Sequence, residues 1–136
     1  MTSESTYRIV LADDHAELRQ SLKKALAHRR DCQVVAEAGD GTELLRLMEQ
    51  TTPDLVILDI TMPNLGGIEA TRRIKTAWSD VKVLIMTVHR EEEYLQQAIS
   101  AGAEGYLLKE EADTELFTAI ETVRKGRTYV SPGSRK

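Results

Sequence analysis

The apolar run Leu55-Val56-Ile57-Leu58 passes directly into the carboxylate of Asp59. Four apolar residues without polar alternation read as a strand buried on both faces. Such a strand needs a layer above it and a layer below, which restricts the chain to a sheet covered from both sides. A carboxylate at the end of a dry strand is costly unless something pairs with it.

The rest of the chain supplies those layers. "YRIVLAD" (7–13), "CQVVAEAG" (32–39), "VKVLIMT" (81–87) and "EGYLLK" (104–109) read as further strands. Between them, apolar residues recur at helical spacing. Leu18, Leu22, Ala25 and Leu26 mark a helix from His15 to about Arg30. Asp40 followed by Glu43 resembles a capping box opening a second helix. A third is expected from about Gly67 to Trp78, a fourth through "EEEYLQQAISAG", and a fifth with Leu116, Phe117, Ile120 and Val123 on one stripe. Five strands alternating with five helices predict an α/β domain, doubly wound, with a parallel sheet and helices on both faces. Its connections should be right-handed. Spacing does not give the strand order. The flavodoxin-like order 2-1-3-4-5 would open a crevice at the C-terminal ends of strands 1 and 3.

Composition narrows the function. At 136 residues one domain is expected. A net charge of −4 argues against this segment gripping nucleic acid by electrostatics. The single Cys32 excludes an internal disulfide and a multi-cysteine zinc site, and its expected role is that of a small buried hydrophobe. No apolar run approaches a membrane span, and the start lacks the apolar core of a signal peptide. The expectation is a soluble cytoplasmic domain with no membrane partner.

If all strands are parallel, their ends meet at one rim. Asp13 and Asp14 follow the first strand, Asp59 the third, Thr87 the fourth and Lys109 the fifth. Three carboxylates held close repel one another and call for a cation. The all-oxygen donor set suits a hard divalent ion, Mg²⁺ best, with Mn²⁺ as an alternative. Carboxylates, a hydroxyl and an ammonium around such an ion suit a phosphoryl group, and a carboxylate can itself be the nucleophile, giving an aspartyl phosphate. His15, beside the acids, reads as a surface residue rather than a ligand.

In this order and spacing, "ADDH", "DLVILDITMPNLGG", "VLIMT" and "GAEGYLLK" resemble the CheY-like response regulator receiver domains of two-component systems, over residues 7 to about 126. "DITMPNLGGIEATRRI" further resembles the NarL/FixJ (LuxR-type) class. The resemblance implies sheet order 2-1-3-4-5 and a switch phosphorylated on Asp59 by a cognate sensor histidine kinase. It implies Mg²⁺ held by Asp13, Asp14, Asp59 and the backbone carbonyl of Thr61. Thr87 and Tyr106 match the switch pair, and Lys109 matches the lysine that pairs with phosphoryl oxygens. Thr61 and His89 occupy positions that tune dephosphorylation in the family. Catalysis would be limited to the domain's own phosphoryl transfer and autodephosphorylation. Glu110 stands where many receivers have a cis-proline, so a trans bond and a more mobile loop are expected there.

Residues 1–6 are expected to be a disordered start. The tail "RTYVSPGSRK" (127–136) is expected to begin a linker to a C-terminal helix-turn-helix domain outside this chain, through which the parent protein would bind DNA and regulate transcription, and a homodimer on phosphorylation is implied as well. Two rivals fit less well. A haloacid-dehalogenase-like phosphotransferase needs a second acid two residues after its nucleophile, where this chain has Thr61. A flavodoxin-like cofactor binder needs a phosphate-cradling loop where this chain has "ADDHAEL".

Overall fold

The computed structural model describes residues 6–135, so the expected disorder of residues 1–5 lies outside the described residues. Strands β1 (Tyr7–Ala12), β2 (Cys32–Ala38), β3 (Leu55–Leu58), β4 (Lys82–Thr87) and β5 (Gly105–Leu108) alternate with helices α1 (Ala16–Ala27), α2 (Gly41–Thr51), α3 (Gly67–Ala77), α4 (Glu92–Ala101) and α5 (Ala112–Arg124). With a short sixth strand, β6 (Tyr129–Val130), all strand pairs are parallel, in the order β2-β1-β3-β4-β5-β6. The five expected strands therefore take the flavodoxin-like order.

The sixth strand, β6 (Tyr129–Val130), lies in the segment expected to start a linker. It pairs Tyr129 with Gly105 and Val130 with Tyr106. Two residues are too short to show a period, and the Ser-Pro-Gly-Ser that follows has turn composition, so sequence pattern could not distinguish this strand from a linker. Its burial is a tertiary effect. Tyr129 is buried in the same cluster as Leu107, Leu116 and Ile120, and its hydroxyl bonds Glu115 on α5. Helix α1 also ends earlier than expected, at Ala27, where Arg29 N–H turns back to the Leu26 carbonyl and Cys32 N–H to the Arg29 carbonyl.

The strand period of two divides the core. Val10, Val56, Leu58, Val83 and Ile85 face α2, α3 and α4 through Leu44, Met48, Ile74 and Leu95. Ile9, Leu11, Leu55, Ile57, Leu84 and Met86 face α1 and α5 through Leu22, Leu26, Leu116, Ile120 and Val123. Full burial of each such side chain stabilises by about 1.5–3 kcal/mol. This explains why β3 contains no polar residue. Both its faces are core, and its four residues are at most 2 % exposed.

The loop after β3 is tied down rather than free. Asp40 caps α2 by accepting the Glu43 N–H at 2.7 Å, and its other oxygen accepts Asn64 Nδ2 at 2.8 Å. Asn64 sits at φ 69, in the left-handed region where asparagine is tolerated. Gly67 opens α3 with its N–H on the Ile60 carbonyl at 2.7 Å. A Cβ there would lie 2.0 Å from the Asp59 carbonyl oxygen, so only glycine lets the helix start against the acid's own backbone.

Candidate functional site

Parallel strands bring their carboxyl ends together, and the acids arrive as the spacing predicts. Asp13 leaves β1 and Asp59 leaves β3. Both are buried, at 5 % and 6 % exposed, while Asp14 is exposed. Their main chains are linked across the rim: Asp59 N–H donates to the Ala12 carbonyl at 3.1 Å, and Asp13 N–H to the Ala38 carbonyl at 3.0 Å. From the end of β5, Lys109 Nζ reaches between the two buried acids, 2.9 Å from Asp13 Oδ2 and 3.0 Å from Asp59 Oδ2. One ammonium bridges two carboxylates.

This bridge sets the charge states. Burial opposes the charge on Asp13, but the bond from Lys109 and the His15 N–H at 2.9 Å outweigh it and hold the carboxyl below its usual value. Burial likewise pulls the Lys109 ammonium down, and its bonds to Asp13 and Asp59 more than restore it.

Asp14, His15, Asp59, Thr61, Val88, His89 and Lys109 line a cleft of about 270 Å³. Size does not single it out, since a hollow of about 400 Å³ lies at Arg29, Phe117 and Glu121. Its convergent acids do. One ligand atom from each of Asp13, Asp14, His15 and Asp59 falls within a 4.8 Å cluster. Carboxylate oxygens at this separation fit a hard divalent cation, so the donor set passes the chemical test for a metal.

His15 lies on the surface, as the sequence suggested. Its ring is largely exposed, yet Nδ1 lies 3.0 Å from Asp13 Oδ1 and 3.1 Å from Asp14 Oδ1. Thr61 N–H approaches Asp59 Oδ1 at 3.4 Å, and Thr61 Oγ1 lies 3.1 Å from His89 Nε2. Thr61 and His89 are therefore one contact. The His89 ring also stacks on Tyr94, with centroids 4.3 Å apart.

Thr87 is fully buried at the end of β4, and its hydroxyl accepts the His89 N–H at 3.2 Å. Tyr106 is buried with its ring already inside, and its hydroxyl donates to the His89 carbonyl at 2.8 Å. Burial pushes that hydroxyl up to about 12, so it stays a proton donor. The expected switch pair therefore meets at the backbone of His89.

After Lys109 the chain makes a short 3₁₀ turn, Lys109–Glu111, with trans peptide bonds. Arg90 pairs with Glu110 across the loop. Glu111 accepts Ser131 Oγ and the Gly133 N–H, which binds the tail to the turn that follows the site lysine. No local pattern marks these contacts, because they join segments about twenty residues apart.

A parallel sheet of this order, with an aspartate at the end of its third strand set among two further acids and a lysine, defines an α/β domain built around one buried carboxylate. The chain belongs to the response regulator receiver domain family, whose model matches residues 9–121. It is 38 % identical over 130 residues to the transcriptional regulatory protein DegU of Brevibacillus brevis, covering 96 % of this chain and 55 % of DegU. It is 42 % identical over 124 residues to the oxygen regulatory protein NreC of Staphylococcus epidermidis, covering 90 % of this chain and 57 % of NreC. A LuxR-family two-component response regulator from an Aurantimonas species superposes with a TM-score of 0.91 at 42 % identity, covering 96 % of this chain and 93 % of that one. The receiver domain of the response regulator NarL from Mycobacterium tuberculosis gives 0.86 at 33 % identity, covering 91 % and 100 %. These relatives put the chain in the NarL/FixJ class. It spans a little over half the length of the curated relatives it matches. Among the described residues no helix is long and apolar enough to cross a membrane.

Proposed function

We propose that this domain is a phosphorylation switch whose acceptor is Asp59. The observation that carries the reading is the placement of that carboxylate: buried at a strand end, 3.0 Å from Lys109 Nζ, within a cluster of further acids. An oxygen of Asp59 attacks the phosphorus of a phosphohistidine on a cognate sensor kinase. The P–O bond forms, the P–N bond breaks, and the leaving imidazole nitrogen takes up a proton. Asp13, Asp14, Asp59 and the Thr61 carbonyl would hold Mg²⁺, or Mn²⁺ in its place, which supplies charge neutralisation for the incoming phosphoryl group.

Lys109 then exchanges a carboxylate partner for a phosphoryl oxygen, and the Thr87 hydroxyl donates to another. Thr87 already accepts the His89 N–H while Tyr106 holds the His89 carbonyl, so a shift of the hydroxyl is felt first at the β4–α4 loop. With the Tyr106 ring inside before any phosphoryl group arrives, that loop is the element left to respond. Thr61 and His89, in contact at the cleft mouth, govern how water reaches the acyl phosphate. Catalysis is confined to the domain's own phosphorylation and dephosphorylation.

In the parent protein, this switch would act in the cytoplasm through a C-terminal DNA-binding domain to regulate transcription, with dimerisation on phosphorylation. The kinship with DegU and NreC supports that extension. The test is intact mass after incubation with Mg²⁺ and acetyl phosphate. The expected result is one added phosphoryl group, absent in Asp59→Asn. Turnover of the donor with no labelled protein at any time would point instead to an enzyme acting on small molecules.

A further inference from the structure

The acids of the site are only as well placed as the backbone beneath them. Asp13 lies just beyond the last residue of β1, where the regular ladder stops. Its N–H is held by the Ala38 carbonyl, and its own carbonyl is met by a side chain: Arg19 Nη1 donates to it. The same guanidinium donates through Nε to Glu37 Oε1 on β2 at 3.0 Å. Lys23, one turn further along α1, lies 2.7 Å from the other oxygen of Glu37. Arg19 and Glu37 are both mostly buried, with side chains 19 % and 23 % exposed. The N–H of Arg19 is bonded to the His15 carbonyl at 3.2 Å, so the fork projects from the first turn of α1 back over Asp13-Asp14-His15.

We propose that Arg19 is a positioning residue for the cation-binding acids, an inference that rests on the metal reading of the site given above. Its rigid fork joins the end of β1, the start of α1 and Glu37 of β2, and so fixes the main chain from which Asp13 and Asp14 project. Lysine cannot reproduce this, because one ammonium does not hold two donors in a fixed plane toward two separate acceptors. The expected sign separates positioning from simple charge. A cation held near an acidic metal site repels the incoming ion, so removing it should tighten metal binding if charge were its only influence. If the fork positions the acids, removing it weakens binding.

The experiment is a Mg²⁺ titration of the metal-free chain, followed by amide shifts in nitrogen-15 NMR, which report affinity and folding together. Arg19→Met keeps the packed stem and loses the donors. It should bind Mg²⁺ about 10-fold more weakly, the scale seen when a supporting partner of a metal ligand is lost. Arg19→Lys keeps the charge and one donor head, and should fall roughly 3-fold, between the two. Arg19→Met that binds as tightly as the parent chain, or more tightly, overturns the proposal even if its unfolding midpoint is lowered. If Arg19→Met does not fold, Arg19→Lys decides by the same criterion. A parent chain that shows no Mg²⁺-dependent shifts refutes the metal reading itself, which is distinct from failure of the Arg19 role.

Discussion

Replacing Gly67 by alanine should damage this domain more than its place at a helix start suggests. By helix propensity alone the change would help, since alanine is favoured over glycine by about 0.5–1 kcal/mol. The structure reverses that sign. The added Cβ would lie 2.0 Å from the Asp59 carbonyl oxygen, and 2.8 Å from both the Asp59 carbonyl carbon and Ile60 Cα. Ordinary contact at about 3.4 Å needs roughly 1.4 Å of separation, and all three atoms are backbone, so no rotamer can relieve it. Overpacking of this kind costs about 1–3 kcal/mol, with rigid surroundings at the upper end. A net loss near 2 kcal/mol is expected, a sizeable part of a domain's total stability. The neighbouring glycine is an internal control. A Cβ on Gly66 meets only the Ile60 carbonyl oxygen, at 3.4 Å, so Gly66→Ala should cost at most about 1 kcal/mol through a poorer cap. Urea unfolding of both variants measures the difference. Acetyl phosphate labelling of Asp59 then reads its consequence, since a shift of about 1 Å in a reacting group can slow chemistry by about 10²-fold. Gly67→Ala as stable as Gly66→Ala, or labelled as fast, would refute the reasoning.

Three further outcomes follow from contacts at or near the rim. Tyr106→Phe removes the donor to the His89 carbonyl and should destabilise by about 1 kcal/mol in urea unfolding, with faster amide exchange in the loop around His89. Thr61→Ala and His89→Ala should each change the decay rate of the phosphorylated domain. Because the two side chains touch at 3.1 Å, the double variant should match the larger single effect; a simple product of the two would show them independent. The Glu37 carboxyl is held below its usual 4.5 by hydrogen bonds from Lys23 and Arg19 against the cost of burial. Its contribution to stability is therefore present above pH 4.5 and is lost as pH falls through its lowered value. Unfolding measured across this range should fall less steeply in Glu37→Gln, and parallel curves would show that the pair carries no pH-dependent stability.

Much of the fold was legible because the two periods of the sequence agree with its layers. β3 reads as buried on both faces, and α2 announces its start at Asp40 and Glu43. The acids were legible because parallel strands gather their carboxyl ends whatever the helices between them do. What stayed hidden has a common physical origin. Strand β6 is defined by its pairing with β5 and by the cover over Tyr129, not by its own two residues. The Arg19–Glu37 bond, the Thr61–His89 contact and the hold of Glu111 on Ser131 each join segments about twenty or more residues apart in sequence. His15 is the surface residue the sequence suggested, but its contact with the acids was not legible. An exposed histidine has no burial signal, yet this one closes on two acids because α1 starts where β1 ends.

On the proposed reading, the charges of the cleft require Lys109 to change partners. Asp13, Asp14 and Asp59 bring three negative charges, and Lys109 offsets one of them by bridging the two buried acids. Two negative charges remain, which is the deficit a divalent cation cancels. Phosphorylation of Asp59, as proposed above, would replace a carboxylate of one negative charge by an acyl phosphate of about two. The lysine then has a better electrostatic partner than the acids that held it. Its backbone leads straight into the Lys109–Glu111 turn, whose last residue grips the tail through Ser131 and Gly133. A change of partner at Nζ therefore loads the same turn that fastens the chain's exit to the sheet.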